Sequence, residues 1–147
     1  EVEAMARSIA RAAGRGLAAA VPLSAAAGVR AALRVADIGA GRRPLRVPIR
    51  VVRVGDAALI GMAGEQFVET GARVKAAVRQ AGLFPLVIGH AQHLAYVPTP
   101  EAFAARLPSD YEVDEARRLG MAEDAADREL GAVRRALQAV GRRRRGR

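Results

Sequence analysis

The chain has 147 residues, about one ordinary domain in length, with 24 Lys+Arg against 15 Asp+Glu for a formal charge of +9, and no cysteine. The missing cysteines exclude a disulfide framework, a thiolate zinc site and a thiol nucleophile. No apolar run reaches the ~18 residues of a membrane-spanning helix, and 51% hydrophobic residues are too many for a disordered chain.

The positive charge sits in two blocks. Residues 1–53 carry ten basic and three acidic groups, residues 54–141 nine basic and twelve acidic, and Arg142 to Arg147 add five more basic groups. The middle is therefore slightly acidic, and no nucleic-acid motif is present, so nucleic acid is not an expected partner. The alternative is an anion-binding module (nucleic acid or acidic lipid) using the basic flanks, which steep salt dependence would reveal. Alanine supplies 34 residues and aromatics only 3%, so the core should be thin per residue.

Taken in chain order, Val2, Met5, Ile9, Ala13, Leu17 and Ala20 recur at helical steps and predict a helix over 2–20. Arg7, Arg11 and Arg15 form its solvated face, and Pro22 ends it. Val29, Ala31, Leu33 and Val35 alternate with Arg30, Ala32 and Arg34, which is strand period, although the alanines leave a helix open. Residues 39–44 form a loop whose G-x-G lacks the rest of a dinucleotide fingerprint. Leu45, Val47, Ile49 and Val51 alternate with Arg46 and Arg50 in a half-buried strand, where Pro48 implies an edge position or a bulge. Gly55-Asp56 between two β-rich runs is a hairpin signal.

Residues 66–81 read as a helix with Phe67, Gly71, Val74, Val78 and Ala81 on one face and Gly82 as its cap. Leu86-Val87-Ile88-Gly89 reads as a short buried strand, and 90–98 as a loop holding both histidines and Tyr96. Thr99-Pro100-Glu101 opens a short helix to residue 106, and Tyr111-Glu112-Val113 reads as extended. Ala126, Leu130, Val133, Leu137 and Val140 place a final helix over 122–140, acidic at its start and basic at its end. A disordered basic tail, 142–147, follows Gly141. The expected fold class is α/β (mixed α+β), a mixed β-sheet flanked by helices.

Three features could carry chemistry. Glu65, in Gly61-Met62-Ala63-Gly64-Glu65, lies at a strand exit and a helix entrance, where ligands gather in α/β sheets; the same position suits a helix-capping carboxylate. His90 and His93 could share a metal if their segment were helical, or serve as simple hydrogen-bonding groups in a loop. Tyr96 and Tyr111 are the only tyrosines; each phenol could donate to a developing oxyanion, bind a metal as phenolate, or simply pack.

The stretch V-R-V-G-D-A-A-L-I-G-M-A-G-E-Q-F-V-E-T-G (52–71), then H-x-x-x-x-x-Y-V-P-T-P-E-A-F (90–103) and Y-E-V (111–113), resembles the neutral/alkaline ceramidase family, its compact bacterial members in particular. The resemblance implies Glu65 and Tyr96 as zinc ligands, Tyr111 as the group that stabilises the tetrahedral intermediate, and Gly64, His90 and His93 as residues lining the site. It implies hydrolysis of an N-acyl amide, with ceramide as the family substrate. The family's two histidine ligands come from the half of the catalytic domain that precedes this one, and neither His90 nor His93 matches them. Residues 1–141 are thus expected to be the C-terminal half of a catalytic domain, inactive alone, with Zn2+ completed by histidines outside this chain. Its expected partners are a lipid amide, the N-terminal half, and other copies meeting through exposed apolar surface. The sequence departs from the family where Ala91-Gln92-His93 replaces an Asn-Gly-Tyr turn, which keeps open a pseudoenzyme with the fold only. It lacks also the Gly-rich stretch expected after Tyr111-Glu112-Val113. The chain opens at Glu1 with no initiator Met, and no signal peptide is read in it.

Overall fold

A computed structural model describes residues 28–42, 44–105 and 110–141. The helix expected over 2–20 and the basic tail lie outside the described residues, as does the His93 side chain. The described chain forms strands β1 (Val29–Asp37), β2 (Arg46–Val54) and β3 (Ala57–Gln66), helix α1 (Val68–Gln80), strand β4 (Phe84–Val97), and helices α2 (Pro100–Ala105), α3 (Tyr111–Arg118) and α4 (Ala125–Gly141). The four strands form one sheet in the order β1-β2-β3-β4. The first two pairings are antiparallel and β3·β4 is parallel. This is the mixed sheet flanked by helices that the sequence predicts.

Local chemistry accounts for the connections. Gly55 takes a left-handed φ of 57° in the β2–β3 turn, a conformation glycine adopts without a Cβ penalty. A parallel pair needs a crossover, and α1 supplies it. Gly82, with φ 74°, closes the end of α1, its N–H donating to Arg79 O at 2.9 Å. Thr99 Oγ1 accepts from Ala102 N at 3.2 Å, so the threonine caps α2 as expected. Pro48 pairs with Val35 but lies beyond Arg50↔Gly61, the last β2–β3 pair. Its missing N–H is thus tolerated at a locally unpaired edge.

The helices pack on one side of the sheet. Val47, Ile49 and Val51 of β2, and Ala58, Ile60 and Met62 of β3, are buried against Val74 and Val78 of α1 and Leu130, Val133, Leu137 and Val140 of α4. The stripe expected on the last helix is therefore its buried face. β1 departs from the simple expectation. Its apolar set, Val29, Leu33 and Val35, is more than half exposed, at 67%, 56% and 55%. The arginine side turns to α4 instead, with Arg30 Nη1 donating to Val140 O at 3.4 Å. A cation at a helix C-terminus is favourable there.

Two further expectations are corrected. Leu86 and Ile88 are not buried but 46% and 47% exposed, because they lie on the sheet face away from the helices while Pro85 and Val87 turn inward. Residues 90–97 are not a loop; β4 runs through them to Val97. Two bulges explain the misreading. Between Gly61↔Ile88 and Ala63↔Gln92, β4 advances four residues while β3 advances two, and the same happens between Ala63↔Gln92 and Glu65↔Tyr96. Such insertions erase the period of two by which a strand is recognised.

The register places Val29, Leu33, Leu59, Phe84, Leu86 and Ile88 on the face away from the helices. The two faces predict different costs for truncation. Ile60→Ala, at 0% exposure, should lower stability by about 2–5 kcal/mol. Leu59→Ala, on the open face, should cost under about 1 kcal/mol. Urea unfolding followed by circular dichroism measures both.

Candidate active site

The site forms where the parallel strands end. Glu65 is the penultimate residue of β3 and pairs in register with Tyr96 of β4. In a parallel pair, residues in register project from the same side of the two strands, so carboxylate and phenol sit side by side. Gly64 makes this possible. Its φ is 67°, and a Cβ there would lie 2.3 Å from the Ala95 carbonyl oxygen. Only glycine permits both the left-handed turn and the close approach of β4.

His90 also reaches the site. Its Nε2 lies 3.4 Å from Glu65 Oε2, with the two side chains 59% and 52% exposed. It sits inside the first β4 bulge at φ 52°, the only positive-φ residue other than glycine among the described residues. Left-handed backbone costs a non-glycine residue of order 1 kcal/mol, so the bulge carries strain beside the carboxylate.

Tyr111 approaches from a third element, and its placement is a correction. It is the first residue of α3, not part of an extended piece. Asp110 caps that helix, its carboxylate accepting from Val113 N at 3.2 Å. Acids in the first turn and arginines in the last complete the helix signal. The Tyr111 ring meets Tyr96 edge-on, with centroids 5.8 Å apart and planes at 78°. Tyr111 is 64% exposed.

The electrostatics follow from these neighbours. The negative charge of Glu65 is the main cause that raises the Tyr96 pKa above the usual tyrosine value. Partial burial, Glu112, Tyr111 and a hydrogen bond with Glu65 add to it. The phenol therefore keeps its proton and shares it with the carboxylate. Two oxygen donors that share a proton are a pair a divalent cation can occupy by displacing that proton. They do not make a complete centre: among the described residues no three His, Cys, Asp or Glu side chains cluster as a metal site. Glu65 is not the helix cap either. The N-cap of α1 is Phe67, with no side-chain capping bond.

Sequence reasoning missed the residues beneath the site. Gln66 Nε2 donates to Ala63 O at 2.7 Å and to Glu129 Oε2 at 2.8 Å. Glu129, on α4, has 0% exposure. Burial pushes its carboxyl up to about 8, against the opposing hydrogen bond from Gln66. The available signal was its position on the apolar stripe, three residues after Ala126 and four before Val133.

No family model and no curated protein matches the chain. Solved structures do. The fold is similar to part of the neutral ceramidase fold. A crystal structure of neutral ceramidase from Pseudomonas aeruginosa is 25% identical, with a TM-score of 0.56 over 67% of this chain and 16% of that one. A ceramidase complexed with C2 is 25% identical, with a TM-score of 0.54 over 64% of this chain and 15% of that one. The chain thus spans about one sixth of the ceramidases it matches.

Two outcomes are expected. Gly64→Ala should destabilise the fold by more than about 2 kcal/mol, since the clash is with backbone, as thermal unfolding would measure. Glu129 binds its proton in the folded protein up to about pH 8, but in the unfolded chain only up to about pH 4.5. Its contribution to stability therefore falls as pH rises between those values. Glu129→Gln should flatten that dependence and raise stability at pH 8 by about 4 kcal/mol, as denaturant midpoints at pH 5 and pH 8 would show.

Proposed function

We propose that the chain is the C-terminal half of the catalytic domain of a zinc-dependent amidohydrolase of neutral ceramidase type, and that its substrate is an N-acyl lipid amide. The observation that carries this reading is the register pair Glu65↔Tyr96 with Tyr111 stacked edge-on against Tyr96. The ceramidase-like fold supplies its context.

In this reading Glu65 and Tyr96 hold the metal, and two histidines from the rest of the catalytic domain complete it. Zinc, when bound, lowers the pKa of water to near neutrality and polarises an amide carbonyl. The chain's own residues set the stage for that chemistry. Glu65 provides the formal negative charge of the pair. His90 Nε2 lies 3.4 Å from that carboxylate. Tyr111, exposed at the start of α3, donates its phenolic proton in a hydrogen bond to the oxygen that gains charge as the amide carbon becomes tetrahedral. The ring of Tyr96 fixes the approach of Tyr111, so that donor is placed before substrate arrives. The open apolar face of the sheet is the surface against which the remaining half of the catalytic domain packs. Left bare, the same face would draw copies of the chain together.

In protein that includes the preceding half, Glu65→Gln and Tyr96→Phe should each abolish tight zinc binding, which isothermal titration with ZnCl2 measures. Tight stoichiometric binding that survives both substitutions would overturn the ligand assignment. In protein that includes the preceding half, Tyr111→Phe should lower kcat for a ceramide by ~100- to 1000-fold with little change in KM. Full-length protein that hydrolyses no lipid amide with zinc supplied would overturn the function and leave a pseudoenzyme.

A further inference from the structure

The buried polar cluster beneath Glu65 costs the fold stability that an apolar core would not. Glu129 stands at 0% exposure among Ala125, Ala126, Leu130 and Val133 of the same helix. Its Oε1, together with Gln66 Oε1 and Thr70 Oγ1, is buried with no protein partner. Unpartnered buried polar atoms are costly, and a leucine at this position would avoid the penalty. What the cluster does make is directional. Gln66 Nε2 gives one hydrogen bond to Glu129 Oε2 and the other to the Ala63 carbonyl. The bond to Ala63 spans three residues and closes over Gly64 and Glu65. That kink lies at the second β3–β4 bulge, where β4 bypasses β3 by two residues and ladder support is interrupted.

We propose that Gln66 and Glu129 are positioning residues for Glu65: the carboxyl of Glu129, fixed on α4, holds the Gln66 carboxamide, which clamps the Ala63 carbonyl and so fixes the Gly64–Glu65 kink that aims the Glu65 carboxylate at Tyr96. The inference rests on the reading of Glu65 as a metal-binding group. A carboxylate at a strand end, more than half exposed, would otherwise sample several orientations. A link to α4, the longest helix among the described residues, removes that freedom. α4 is also packed against β1 and β2, so the position of Glu65 is referred to the whole core and not to its own strand end.

The test uses the full chain in four forms: wild type, Glu129→Gln, Glu129→Leu and Gln66→Leu. Backbone amide spectra of the chain report the kink at Gly64 and Glu65, and ZnCl2 titration of the same variants in protein that includes the preceding half reports the site. Glu129→Leu and Gln66→Leu should shift the Gly64 and Glu65 resonances, leave those of Val51 and Ile60 in place, and weaken zinc binding about 10-fold or more. Glu129→Gln keeps an oxygen to accept from Gln66 and should restore both readouts. A purely structural role would be met equally well by leucine, so rescue by glutamine alone is the discriminating result. If both leucine variants fold with Gly64 and Glu65 resonances unchanged, or if Glu129→Gln disturbs them as much as Glu129→Leu, the proposal is wrong. If protein that includes the preceding half binds no zinc yet the resonances move as described, the clamp stands and the metal reading of Glu65 falls.

Discussion

The parallel pairing of β3 with β4 is the constraint on which the site depends. Two parallel strands present their carboxyl ends at the same edge, and the crossover through α1 keeps the chain from capping that edge with a tight turn. Glu65 and Tyr96 are 31 positions apart in the sequence, yet the register makes them neighbours. The register is irregular. Twice β4 takes four residues where β3 takes two, and without those insertions Tyr96 would lie beyond the end of β3. Gly64, whose missing Cβ lets Ala95 O pass, and His90, held in left-handed backbone, are the local accommodations of the two bulges. Both stand at the site, in keeping with the tendency of strained backbone to collect where function needs an unusual geometry.

The two faces of the sheet tell a second story. One carries a core of valine, isoleucine and alanine closed by α1 and α4. The other is nearly as apolar but has no cover among the described residues. Strands that are apolar on both faces belong in the middle of a layered structure. β1 shows this most clearly, since the side that an amphipathic reading sends inward is the exposed one.

Much of this was legible in the sequence, for reasons that particular residues show. Gly55-Asp56 marked the hairpin and Thr99-Pro100 the start of α2, because turn and cap chemistry acts locally and leaves its residues in place. Val74, Val78, Leu130 and Val133 marked buried helix faces because a regular helix keeps its period. The reading failed where geometry became irregular or non-local. The bulges of β4 broke the alternation over 90–97, so a strand read as a loop. The helix at Tyr111 was hidden because its signal lay in Asp110, one residue before the stretch that drew notice. Glu65, Tyr96 and Tyr111 were each ambiguous alone; strand pairing brings Glu65 to Tyr96 and the packing of α3 brings Tyr111 to Tyr96, which no local pattern encodes.

Glu129 is the residue that sequence periodicity is least able to explain. On a stripe that buries alanine, leucine and valine, a carboxyl is the wrong chemistry for the core and carries a proton at neutral pH because burial leaves it little choice. Its neutral form removes the larger cost of a buried charge, yet the unpartnered oxygens around it remain. Stability alone favours its loss. Its one directional contact leads through Gln66 to the carbonyl that precedes Gly64. The irregular strand end needs an anchor outside the ladder, because the ladder is interrupted there. A helix seated on the opposite half of the sheet provides one, and the carboxyl is the group on that helix able to grip a carboxamide.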